Sequence, residues 1–114
     1  MEHQEKALEI QKEILGEKNA DAATSYNNVG NSYWKLGDRK KGLEYQEKAL
    51  KIFNKVLGEK HANTASSYNN VGSRYWELGD RKKGLEYQEK ALEIRREVLG
   101  EKHADTAQSY HNIG

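Results

Sequence analysis

The stretch LGDRKKGLEYQEKAL, Leu36 to Leu50, occurs a second time, unchanged, from Leu78 to Leu92. Working outward from it, Tyr26, Tyr68 and Tyr110 are spaced by 42 residues, as are Leu15, Leu57 and Leu99, and Gly30, Gly72 and Gly114. Laying residues 1–72 on 43–114 gives about 50 identical pairs out of 72. The 114 residues hold nearly three periods of one unit, so the fold of the chain follows from the fold of that unit.

Within a unit, apolar and small residues keep helical spacing twice. Ala23, Tyr26, Gly30 and Tyr33 recur at i, i+3, i+7 and i+10, the rhythm of one helical face, and Val29 and Leu36 widen it. This is helix A. Gly42, Gln46, Ala49, Leu50, Phe53, Val56 and Leu57 form a second stripe, helix B. Gly37 suits the left-handed end of A, the Asp38 side chain can cap B, and Gly58 ends B. The spacing predicts helices over 2–15, 21–36, 39–57, 63–78, 81–99 and 105–113. A helix-interior glycine costs about 1 kcal/mol relative to alanine. Gly30, Gly42, Gly72 and Gly84 therefore mark places where A and B backbones approach closely.

The pairs Glu2/Lys6, Glu44/Lys48 and Glu86/Lys90 set acid four residues before base, an arrangement worth roughly 0.2–0.5 kcal/mol each. They place most of the charge on a solvated outer face. A lone hairpin cannot bury its apolar stripe, whereas stacked neighbours bury a continuous one. The expected fold is all-α, an α-solenoid of antiparallel helix hairpins. It comprises a lone B helix and connector over 1–19, full units over 20–61 and 62–103, and a truncated A helix over 104–114.

Composition narrows the function. With 19 basic and 18 acidic side chains the net charge is +1, which argues against nucleic acid as a partner. No apolar run approaches the roughly 20 residues that span a bilayer, and Met1 to Lys6 is polar and mixed in sign, so neither membrane nor secretory signal is expected. The chain has no cysteine, which removes disulfides, thiolate nucleophiles and cysteine metal sites and fits a cytoplasmic location. His61 and His103 recur with no second ligand at i+3 or i+4, so no metal site is expected. There is no phosphate-binding glycine loop, no nucleophile elbow and no acid pair in an apolar setting. The expectation is a protein without catalytic residues or cofactor.

The block Tyr26-Asn-Asn-Val-Gly-Asn-Ser-Tyr33, then Leu36-Gly-Asp38, then Lys48-Ala-Leu50, resembles the tetratricopeptide repeat, and the resemblance covers the whole chain. The usual unit has about 34 residues; this one has 42, the excess lying in a longer helix B and the connector Val56-Leu-Gly-Glu-Lys-His-Ala62. That variant is similar to the repeats of kinesin light chains and related scaffold proteins. Where that family often has proline after the connector histidine, Ala62 and Ala104 stand here. Alanine fits a first helical turn but should fix the start of helix A less rigidly. The resemblance implies a right-handed superhelix whose concave wall is made of A helices and whose function is to bind other proteins or peptides.

On helix A, Asn27 and Asn31 lie to one side of the inward face and Asn28 to the other. One asparagine offers both a donor and an acceptor, as an unpaired peptide backbone requires, and the resemblance implies backbone binding by such residues. The expected concave-face site is Asn27, Asn31 and Lys35, continued by Asn69, Ser73 and Glu77, with Lys35 and Glu77 selecting charge. Asn28 and Asn70 either touch bound backbone or bond a neighbouring helix or turn. Trp34 and Trp76 either offer aromatic faces to a ligand or, as is commoner beside an inward tyrosine, pack between hairpins. The two units agree at Asn27/Asn69, Asn28/Asn70 and Trp34/Trp76, a monotonous wall suited to an extended or repetitive partner. Capture of a C-terminal carboxylate, as in one subclass of the resembled family, needs lysine where Asn27 and Asn69 stand, and is not expected. Arg39-Lys40-Lys41 and Arg81-Lys82-Lys83 oppose the helix dipole at the start of B and, with Asp38, Glu44 and Glu47 nearby, read as a solvated edge.

Two functions fit these features: a scaffold that binds an extended segment of another protein, and a structural spacer or self-assembling segment with no specific ligand. Aligning Met1 with Leu43 leaves the first B helix without its A partner and Tyr110 to Gly114 without a B helix. Leu8, Ile10, Ile14 and Leu15 at one end, and Ala107, Tyr110 and Ile113 at the other, are then open and complementary. Association of copies is the corresponding expectation, either head-to-tail or by a domain swap hinged near Leu36-Gly-Asp38.

Overall fold

The computed structural model describes residues 20–100 and 103–113. They form five helices, α1 (Ala20–Lys35), α2 (Arg39–Val56), α3 (Ala62–Glu77), α4 (Arg81–Leu99) and α5 (Ala104–Ile113), and no strand occurs among the described residues. Every helix boundary falls within one residue of the spacing-based expectation. The predicted helix over 2–15, the pair Glu2/Lys6, and Leu8, Ile10, Ile14 and Leu15 lie outside the described residues. The fold is an all-α arrangement of helix hairpins in two compact units, Met1–Val56 and Leu57–Gly114.

In the first unit, α1 and α2 are joined by a turn that the sequence punctuates as expected. Gly37 has φ of 95°, which favours glycine, and its N–H donates to the Trp34 carbonyl while that of Asp38 donates to Tyr33. The Asp38 carboxylate accepts from the Lys41 N–H at 3.2 Å, capping α2. The backbones touch at Gly30 and Gly42: a Cβ on Gly42 would lie 2.8 Å from the Gly30 carbonyl oxygen and 3.0 Å from the Trp34 nitrogen. Ala22, Ala23, Tyr26 and Val29 of α1, with Ala49, Leu50, Ile52 and Phe53 of α2, form the buried core, together with the buried amide Gln46. The Tyr45 ring stacks on both Tyr26 and Tyr33, with centroids 5.9 and 5.6 Å apart. Two residues assigned to the apolar stripes are exposed. Leu36 is 71% exposed because it follows the last residue of α1, in the turn; Val56, the last residue of α2, is also exposed.

The second unit repeats this hairpin with α3 and α4 and adds α5, which packs on α4. Gly79 takes φ of 93°, Asp80 caps α4 through the Lys83 N–H, and Gly72 and Gly84 meet as Gly30 and Gly42 do. The connector fixes the start of each following helix by means other than proline. His61 Nδ1 accepts from the Asn63 N–H at 3.0 Å and His103 Nδ1 from the Asp105 N–H at 3.1 Å. The hydroxyls of the buried Thr64 and Thr106 donate to the carbonyls of Gly58 and Gly100, both at 2.8 Å. The loose start expected from Ala62 and Ala104 is thus replaced by a cap and a tie at each connector. Lys90, expected to pair with Glu86, stands 3.6 Å from Glu59, and Lys60 stands 3.7 Å from Glu97. Such partly exposed pairs contribute about 0–1 kcal/mol.

One substitution between the repeats changes the core itself. Where α2 buries Phe53, α4 buries Arg95, only 6% exposed. Its Nη1 donates to Ser109 Oγ at 2.7 Å and to the Asp105 carbonyl at 3.1 Å, and its Nη2 reaches Ser66 Oγ at 3.4 Å. Nε is buried without a hydrogen-bond partner. Burial pushes the Arg95 pKa below the usual arginine value, with the Asp105 charge opposing.

Candidate functional site

The residues expected to bind a partner lie on the A-type helices, α1 in the first unit and α3 in the second, and each unit is described by itself. On α1, Asn27 and Asn31 are half-buried, Asn28 and Lys35 exposed, and Asn27 Oδ1 is a buried acceptor without a hydrogen-bond partner. The half-buried Trp34 carries the Arg39 guanidinium over its ring at 5.3 Å, and Lys41 Nζ lies 4.9 Å from the Tyr33 ring centroid.

On α3, Asn69 Oδ1 accepts from Asn112 Nδ2 of α5 at 2.9 Å, so one of the expected backbone-binding carbonyls is engaged by the neighbouring A-type helix. Asn70 is half-buried. Ser73 Oγ accepts from Gln88 Nε2 of α4 at 3.4 Å. Glu77 Oε1 stands 3.8 Å from Arg74 Nη1, and burial pushes the Arg74 pKa below the usual arginine value, with Glu77 opposing. Trp76, in the last turn of α3, is 45% exposed. Arg81 covers its ring at 5.4 Å and Lys83 lies 4.7 Å from Tyr75. In both basic triplets, therefore, the first and third side chains rest on aromatic rings of the preceding helix. This offsets their unfavourable position at a helix N-terminus.

These residues surround a cleft of about 170 Å³ in the second unit, lined by Ser73, Trp76 and Glu77 of α3, Gln88 of α4 and Asn112 of α5. Three of the five were expected from the sequence. Gln88 and Asn112 were missed, although both leave a signal. Gln88, like Gln46 one period earlier, is a large polar residue on an otherwise apolar stretch of the B stripe, and Asn112 stands 42 residues after Asn70. Among the described residues, no cluster of three histidine, cysteine, aspartate or glutamate side chains could hold a metal ion, and no helix is long and apolar enough to cross a membrane.

A family model of the tetratricopeptide repeat matches residues 21–83, and a second model of the same repeat matches residues 64–105. No curated protein matches the chain. Among solved structures, BtubC (BKLC) from P. vanneervenii is 32% identical, with a TM-score of 0.89 over 98% of this chain and 45% of its own. A putative kinesin light chain from Podosopora anserina with nearly identical TPR-like repeats is 21% identical, with a TM-score of 0.88 over 98% of this chain and 53% of its own, a likeness of fold. A point variant of that protein gives a TM-score of 0.87 at the same identity and coverage. The chain spans about half the length of these structures.

Proposed function

Because the chain belongs to the tetratricopeptide repeat family, whose repeats generally mediate protein–protein interactions, we propose that it is a scaffold segment holding an extended stretch of a partner protein along its A-type helices. The observation that carries this reading is the cleft, where Ser73, Trp76 and Glu77, all exposed or half-buried, meet Gln88 and Asn112. It combines a partly open aromatic face with amide and hydroxyl groups able to bond a main chain, the mixture that peptide-binding grooves use. Asn27, Asn31 and Lys35 supply the same kinds of group in the first unit. Asn28 and Asn70 are secondary contacts, and Trp34 offers less of its ring than Trp76. With so few side chains contributing, the expected affinity of these contacts alone is weak.

The test is a peptide selected by display against the whole chain and titrated into labelled protein. Its resonance shifts should fall on α1, α3 and α5, and the double substitution Asn27→Ala and Asn69→Ala should weaken binding while leaving helicity unchanged. If no peptide shifts those helices, the spacer reading takes its place.

A further inference from the structure

The cleft has a chemical preference of its own, one that rests on the scaffold reading. One N–H of the Gln88 amide is engaged by Ser73 and one of the Asn112 amide by Asn69, while neither side-chain carbonyl takes part in those bonds. Ser73, already accepting, has a single O–H to give. Among the described residues, Glu77 is the one charged group lining the cleft, and its side chain is 46% exposed. Arg74 Nη1, on the same helix, stands 3.8 Å from Glu77 Oε1. The remaining wall is the Trp76 indole, one face of which already accommodates the Arg81 guanidinium. Two amide carbonyls and a carboxylate thus stand at the cleft, the one charged group of the lining is negative and the apolar wall is one that attracts cations.

The two units differ at this place. Glu77 corresponds to Lys35 and Ser73 to Asn31, so the first unit carries the opposite charge at the same position. From this we infer that the cleft takes a lysine or arginine side chain of an extended partner segment, its cationic head on Glu77 and the carbonyls of Gln88 and Asn112, its alkyl stem along Trp76.

The experiment pans a phage-displayed library of random peptides on the whole chain. Selected peptides are then titrated while the Trp76 indole and the Gln88 and Asn112 side-chain amide resonances are followed. Wild type should select peptides with a basic residue at one shared position. Replacing that residue by glutamate should weaken binding roughly tenfold or more, the scale of one hydrogen bond to a charged group. Glu77→Lys should lose the basic peptides and select acidic residues at that position. Lysine already stands at the matching place in the first unit, and helicity is checked by circular dichroism. Should that variant lose helicity, Glu77→Gln decides with the same peptides, an unchanged affinity counting against the inference. Peptides that shift the three resonances but are neutral or acidic there, or that bind Glu77→Lys as well as wild type, overturn this inference and leave the scaffold reading standing. If no selected peptide shifts α1, α3 or α5, both fall.

Discussion

At the scale of single residues, the facing glycines set how closely the paired helices approach and Arg95 sets what the second core must bond. A glycine pair recurring on facing stripes announces close backbone approach, because nothing else compensates its poor helix propensity. The structure bears this out, since a Cβ at Gly42 would come within 2.8 Å of the Gly30 carbonyl oxygen. Gly42→Ala should therefore destabilise the fold by about 1–2 kcal/mol in urea unfolding, the overpacking strain exceeding the helix-propensity gain. Gly37→Ala has open space around it but a φ of 95°, and should cost about 1 kcal/mol for a different reason. Arg95 was not legible in this way. Its position on the B stripe says that it is buried, but the three groups that bond its guanidinium come from α3 and α5. Ser109→Ala should cost about 1–3 kcal/mol by leaving a buried cation short of an acceptor. Arg95→Met combined with Ser109→Ala should come close to neutral, since the buried charge leaves with its partner. Denaturant midpoints of the four variants check these values.

At the scale of the element, helix positions were legible to within one residue because apolar spacing and the Gly-Asp turn act locally. How the A-type helices begin was not. Histidine is not a usual N-cap residue, and the threonine tie spans six residues of connector, so its geometry exists only once the connector has folded. His61→Ala should lower stability by about 1 kcal/mol, and His61→Asn, which restores a capping acceptor, should recover most of it. Thr64→Val, isosteric but without the hydroxyl, should lose about 1–3 kcal/mol by leaving the Gly58 carbonyl without its donor. Thermal unfolding followed by circular dichroism measures each, and equal stability of His61→Ala and wild type would mean that the cap contributes nothing.

At the scale of the whole molecule, the repeat is the organising fact. In a family whose units each gain stability mainly from their neighbours, adding one unit should add a near-constant increment. Inserting a second copy of residues 20–61 after residue 61 should leave helicity per residue unchanged and raise the unfolding midpoint. A midpoint indifferent to repeat number would mean that the hairpins fold independently. The expected self-association is a separate matter of solution mass, tested by sedimentation across about a hundredfold range of concentration. The candidate site was half legible at this scale: Ser73, Trp76 and Glu77 were visible as places where nearly identical repeats present polar or aromatic groups on helix A.

The sequence by itself determined the all-α class, the 42-residue period, the order and ends of the described helices and the points of backbone contact, because each rests on spacing within one hairpin. Only the tertiary structure decided that Asn112 engages Asn69 from 43 residues away and that Gln88 turns its amide to Ser73. It also decided that Arg95 is held by two other helices and that Trp76 stands open at the edge of a cleft. These depend on which side chains from separate helices arrive at one place, and the period of the chain marks the polar residues without saying which of them bond each other.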